Sequence, residues 1–252
     1  MNLLQSVALV LAVFTLPISS GLQIAEETSA QAAQEIVQPE QAEEWNLLLV
    51  NRWNRMPDGY KFVKMKLKNG LEVDERIYKD LTAMLADCGK AGLQPVVCSA
   101  YRSEATQTRL FKNKITRLRN AGYTTAEAEK EAMYWVAVPG TSEHHTGMAV
   151  DIVSAIYQTL DQKQEETAEQ KWLMEHCWEY GFILRYPSDK SEITGIGYEP
   201  CHYRYVGKET ALAMRDSGLC LEEYLRMMRT QEAPRDGEMS PEMNQEATEI
   251  AS

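Results

Sequence analysis

A chain folds only where its large apolar side chains can offset the entropy lost on ordering, and here those side chains are bracketed by two acidic stretches. Residues 21–44 are rich in Ala, Gln, Glu and Ser, and 26–44 contain six Glu and no Lys or Arg. Residues 230–252 contain six acidic residues against Arg235 alone. Neither stretch can build a core, so the expected organisation is an acidic disordered linker over 21–44, one folded domain over 45–229 and an acidic disordered tail over 230–252. Ahead of them, residues 1–20 carry the apolar run Leu3 to Ile18. The run is short for a membrane span and suits a signal-peptide core, so 1–20 reads as a signal peptide or N-terminal anchor and the protein as extracytoplasmic.

The formal net charge of −11 arises entirely in the flanks, because the domain itself balances 25 basic against 25 acidic residues. A neutral domain offers no electrostatic footprint for nucleic acid or for an anionic membrane surface. The cations along the helix expected over 103–120 read as a solvated face, with Phe111, Ile115 and Leu118 turned inward. Five Cys, at 88, 98, 177, 201 and 220, leave at least one thiol unpaired, and none forms a C-x-x-C pair. Cys88, Cys98 and Cys177 sit in apolar contexts and are expected as buried thiols.

Periodicity gives the elements. A strand is expected over Trp45–Val50 and a hairpin over 61–73 around Asn69-Gly70. Ile77, Leu81, Met84 and Cys88 mark an amphipathic helix over Glu75–Ala91 closed by Gly92. A strand over Gln94–Ser99 follows, then the 103–120 helix and a helix opened by the capping box Thr124 to Glu127. Further strands are expected over 148–153, 182–184 and 202–206, with helices over 168–180, 208–216 and 221–228. Without a regular βαβ repeat or a Gly-rich phosphate loop, the class is α+β: a small, mostly antiparallel sheet flanked by helices.

Chemistry concentrates in two polar clusters, Ser142-Glu143-His144-His145-Thr146-Gly147-Met148-Ala149-Val150-Asp151 and Glu199-Pro200-Cys201-His202-Tyr203-Arg204-Tyr205-Val206-Gly207. Metal-assisted hydrolysis needs about three protein ligands, an open position for water and a separate carboxylate to take the water's proton. Two His, one Asp and one Glu in these clusters match that requirement. His145 and His176 are expected in polar, packing or surface roles.

The pattern S-x-H-x-x-G-x-A-x-D followed by E-P-x-H-x-R-Y-V-G resembles the VanY-type zinc D-alanyl-D-alanine carboxypeptidases of the LAS metallopeptidase group. The resemblance extends to Ser99-Ala100-Tyr101-Arg102-Ser103 with Gln107, and to Gly181-Phe182-Ile183-Leu184-Arg185-Tyr186-Pro187. It implies a LAS/hedgehog-like fold, with Zn2+ held by His144, Asp151 and His202 and Glu199 as general base. It further implies Arg102 as oxyanion stabiliser, Ser142, Gln107 and Tyr101 at the substrate, and a monomeric enzyme at the cell wall. The implied reaction is removal of the terminal D-alanine from peptidoglycan stem peptides by Glu-assisted attack of water. The alternatives are an L,D-carboxypeptidase, a D,D-dipeptidase, an endopeptidase, or a non-catalytic wall-binding module. One residue departs from the family: Cys201 stands where Trp is usual, and its placement next to His202 in extended chain argues against its being a ligand.

Overall fold

The computed structural model describes residues 44–232; the segment expected as signal peptide or anchor, most of the acidic stretch over 21–44 and nearly all of that over 230–252 lie outside the described residues. A hairpin comes first, pairing β1 (Lys64–Lys66) with β2 (Glu72–Asp74) in antiparallel register. Its turn is closed by Leu67 N–H donating to Leu71 O at 2.7 Å, and Gly70 supplies the left-handed residue with φ 85°. Asp74 then caps α1 (Glu75–Lys90) by accepting from Arg76 N–H, and α1 buries Ile77, Leu81, Met84 and Cys88 as the periodicity requires.

The second sheet has four strands in the order β3 (Pro95–Ser99), β4 (Ala149–Ser154), β6 (His202–Tyr205), β5 (Phe182–Leu184), all neighbours antiparallel. Val150, Ile152, Phe182 and Tyr203 join Ile77, Leu81 and Met84 of α1 and Leu173 in one apolar core. Between β3 and β4 run α2 (Glu104–Asn120) and α3 (Thr125–Trp135), the latter with both halves of its capping box formed. α4 (Ala168–His176), the single-turn α5 (Ser191–Thr194), α6 (Lys208–Ser217) and α7 (Leu221–Glu232) complete the described chain. Among the described residues no helix is long and apolar enough to cross a membrane.

The sequence expectations need four corrections. Residues 45–50 form no strand: Glu44–Leu47 is a 3-10 turn. The backbone acceptors of this segment are taken by a side chain, since Arg204 Nη2 donates to Asn46 O at 3.0 Å and Leu48 O at 2.8 Å. The helix expected over 168–180 ends at His176 and tightens into a 3-10 turn over Cys177–Tyr180, stopped by Gly181 at φ 81°. Phe111, Ile115 and Leu118 are only half-buried, and the one fully buried residue of α2 is Gln107. All five Cys are unpaired, and Cys98 is exposed because it sits at a β-bulge between Val97 and Ser99.

Gly147 ends the turn that leads into β4. At φ 76° it occupies the left-handed region, and a Cβ there would lie 2.5 Å from the Phe62 ring and 2.9 Å from Asp74 N. Gly147→Ala should therefore lower the unfolding free energy by about 2 kcal/mol or more, measured by urea denaturation of the metal-free protein. An unchanged midpoint would show that the turn relaxes without cost.

Candidate metal centre

Sheet register assembles the centre. Ser99 lies opposite Asp151 on β3 and β4, and Asp151 lies opposite His202 on β4 and β6. Residues directly opposite in an antiparallel pair project to the same face, so three strands deliver Ser99, Asp151 and His202 to one side of the sheet. His144 arrives from the 3-10 turn Glu143–Thr146 that precedes β4. One donor atom from each of His144, Asp151 and His202 lies within 4.8 Å of the others, and all three residues are buried.

Hydrogen bonds fix how each imidazole presents itself. His144 Nδ1–H donates to Ala100 O at 2.7 Å, which turns Nε2 toward Asp151 Oδ2 at 3.3 Å. His202 directs Nε2 at Glu143 Oε2, 3.5 Å away, which turns Nδ1 toward Asp151 Oδ1 at 3.0 Å. Partners on the far ring nitrogens set the tautomer and orientation of ligating histidines. Two imidazole nitrogens and a carboxylate oxygen, with a cavity beyond them, are a donor set suited to zinc with one position open.

Glu143, which sequence reading passed over, anchors this arrangement. Its Oε1 accepts from Arg185 Nε at 2.7 Å and from Arg204 Nη1 at 2.8 Å, and all three side chains are wholly buried. Arg185 in turn donates to both oxygens of Glu222 on α7, at 2.9 and 2.6 Å. Burial alone would raise the Glu143 carboxyl, but the two guanidinium groups outweigh it and hold the group ionised. The only sequence signal was position: Glu143 lies between Ser142 and His144, and its partners are 42 and 61 residues away.

The other expected site residues divide. Arg102 faces the centre, donating through Nη2 to Ser99 Oγ at 2.8 Å and Asp151 Oδ2 at 3.3 Å and through Nη1 to Gln107 Oε1 at 2.8 Å. Gln107 lines the cavity as well, its Oε1 orienting Arg102 while its Nε2 donates to Ala137 O at 2.7 Å. Ser142 is buried and lines the cavity. Tyr101 does not line it: its ring meets Phe62 edge-on at 5.4 Å, with Lys64 Nζ over its face at 3.7 Å. Cys201 lines the cavity but is not part of the donor set, and burial pushes its thiol up. His145 is buried rather than exposed, with Nδ1–H donating to Arg102 O at 2.7 Å and Nε2 accepting from Gly140 N–H at 3.3 Å. His176 lies tilted against Trp172, ring centroids 4.6 Å apart, and bonds Glu179.

Glu199 completes the centre from the loop before β6, with its Oε2 3.8 Å from His202 Nδ1 and 26% of its side chain open to the cavity. Desolvation raises its carboxyl to about 7, with the negative charges of Asp151 and Glu143 adding to the rise and His202 opposing it. A carboxylate poised near neutrality beside a metal donor set is suited to moving protons. The cavity holds about 500 Å³, a size that takes a short peptide end.

Comparison with known proteins agrees with this geometry. Residues 70–208 match the family model described as VanY, D-alanyl-D-alanine carboxypeptidase. A D-alanyl-D-alanine carboxypeptidase of Enterococcus faecalis is 42% identical over 207 residues, spanning 82% of this chain and 75% of that protein. Among solved structures, VanYB in complex with D-alanine-D-alanine is 43% identical with a TM-score of 0.67, over 72% of this chain and 98% of that one. A VanY D,D-pentapeptidase variant in complex with Zn(II) gives the same identity and TM-score. The LdcB LD-carboxypeptidase is 34% identical with a TM-score of 0.60, over 72% of this chain and 86% of that one.

The charge states of the two histidines make a pH prediction. Burial and Arg102 push His144 down to about 4, so it is neutral at pH 7. Burial lowers His202 too, but its hydrogen bonds to Asp151 and Glu143 outweigh that and hold it up at about 9. A metal must therefore displace one proton from His202 below pH 9. Metal affinity, measured by competition with a chelator, should rise about tenfold per pH unit from pH 6 to 8.5 and level off above 9. The metal-free fold behaves oppositely: the stability contributed by protonated His202 is complete below about 6.5 and is lost as pH rises through 9. A metal affinity independent of pH over this range would contradict the assignment.

Proposed function

The chain belongs to the VanY family of D-alanyl-D-alanine carboxypeptidases, and from that premise we propose that it is a zinc enzyme removing the terminal D-alanine from peptidoglycan stem peptides. The observation that carries the reading is the placement of Glu199, a carboxylate 3.8 Å from a metal-facing histidine nitrogen at the wall of a peptide-sized cavity. His144, Asp151 and His202 would hold the zinc. When bound there, zinc supplies Lewis acidity to the scissile carbonyl and to the attacking water.

The remaining steps belong to the chain's own side chains. Glu199 takes the proton from the attacking water and then delivers it to the departing D-alanine amine, so one carboxyl serves as base and acid. Arg102, held by Ser99, Gln107 and Asp151, presents a fixed positive charge that strengthens its interaction as the carbonyl oxygen becomes anionic. Ser142, buried in the cavity wall, contributes a hydroxyl to the substrate's end. On the same reading we place the protein at the cell wall, secreted or membrane-anchored, and take it to act as a monomer. The likeness to an LD-carboxypeptidase supports cleavage of a shorter stem as the second reading, since the two chemistries need the same centre and differ in the stereochemistry beside the cut.

Glu199→Gln keeps the size of the side chain and removes its basicity. Turnover of a D-Ala-D-Ala-terminated peptide should fall by about two to four powers of ten, with zinc content unchanged by metal analysis. Near-normal turnover would place the base elsewhere.

A further inference from the structure

Beyond the centre, the cavity wall formed by α2 and α3 carries two cations, Lys114 and Arg117, beside Leu110 and Trp135. They are exceptional in that wall. Lys114 is half-buried, its ammonium 5.7 Å from the Trp135 ring centroid, and among the described residues neither cation has a salt-bridge partner within 4.0 Å. Arg102, the third guanidinium or ammonium lining the cavity, is already engaged by Asp151, Ser99 and Gln107. Desolvation lowers the Lys114 pKa, with Arg117 adding to the fall and the charges of Glu131 and Glu199 opposing it. A partly desolvated ammonium without a counter-ion is costly in an empty pocket and favourable once an anion enters.

The geometry points to Lys114, supported by Arg117, as a subsite for a carboxylate of the substrate, a specificity contact separate from the metal centre. This rests on the peptidase reading above, because a carboxypeptidase substrate brings a carboxylate into this cavity of necessity. The carboxylate has two sources in one peptide: the free C-terminus of the residue released, or an acidic side chain upstream of the cut. Lys114 sits seven residues, two helical turns, beyond Gln107 on α2, so both lie on one face of that helix. The long aliphatic stem of Lys114 lets its ammonium, beside the Trp135 ring, adjust to either source.

The test uses zinc-loaded protein and three N-acylated peptides ending in D-Ala-D-Ala: one with a free terminus and an upstream glutamate, one with the terminus amidated, and one with the glutamate changed to glutamine. Lys114→Met should lower kcat/KM on the first peptide by roughly 10- to 100-fold, chiefly through KM. It should also erase the native enzyme's preference for that peptide over whichever amidated form lacks the recognised carboxylate. Lys114→Arg should retain most of the preference, which a merely structural role would not require, and zinc content and Tm should match those of the native protein. Loss of discrimination at the terminus, or at the upstream residue, supports the subsite and identifies its source. Equal treatment of all three peptides by native and Lys114→Met protein overturns it. If the native protein cleaves none of them, the peptidase reading fails, and titration with the first peptide, which carries both carboxylates, still decides the subsite. A tenfold weaker Kd in Lys114→Met would support it, and an unchanged Kd would overturn it.

Discussion

The centre depends on one buried carboxylate. Glu143 accepts from Arg185 and Arg204 at 2.7 and 2.8 Å, and its second oxygen faces His202 Nε2. Two guanidinium groups buried in the protein interior would be prohibitive without anions, and Glu143 and Glu222 supply them. The cluster reaches far: Arg204 also takes the carbonyls of Asn46 and Leu48, and Arg185 grips α7 through Glu222. The first described segment, the last described helix and the metal-facing His202 are thereby tied to a single side chain. Replacing such a cluster with apolar residues need not destabilise a fold, but removing one member leaves an uncompensated buried charge. Here it would also free the His202 ring to turn.

Around that anchor, the antiparallel register does the positioning. Arg204 and His202 are two residues apart on β6 and so share a face, while Tyr203 and Tyr205, which alternate with them, enter the apolar core. One strand thus serves both the core and the centre, and the same alternation on β4 puts Asp151 at the centre with Val150 and Ile152 in the core. A slip of one residue in either pairing would exchange ligands for core residues. The buried turn before β4, with Gly147 at its end, sets where His144 meets this register.

Much of this was legible in the chain. The 3.6-residue periodicity over 75–91, the Asn69-Gly70 turn and the Thr124–Glu127 capping box each act over a few residues, and each formed where local physics places it. The metal-facing residues were legible because the two polar clusters hold side chains suited to a metal and resemble the VanY family's motifs. What escaped was set by distant partners. Trp45–Val50 has strand composition, but Arg204, more than 150 positions on, takes its carbonyls. The bond from Gln107 to Ala137 O, 30 residues on, and its hold on Arg102 were likewise invisible in the chain. Glu143 stood inside a motif with no visible role, because charge in sequence does not disclose which buried cation it will neutralise.

The same cavity carries two kinds of lining: the donor set of His144, Asp151 and His202, and the charged and apolar side chains Lys114, Arg117, Leu110 and Trp135 of α2 and α3. The central claim is that this cavity is the site of a metal-dependent peptidase acting at a D-alanyl terminus. The most direct measurement is mass analysis of a peptidoglycan-type pentapeptide ending in D-Ala-D-Ala after incubation with the protein, zinc-loaded in one sample and chelator-treated in the other. The account predicts loss of a single D-alanine in the zinc sample and an intact peptide in the chelated one. An intact peptide in both, or identical cleavage with and without metal, would contradict it.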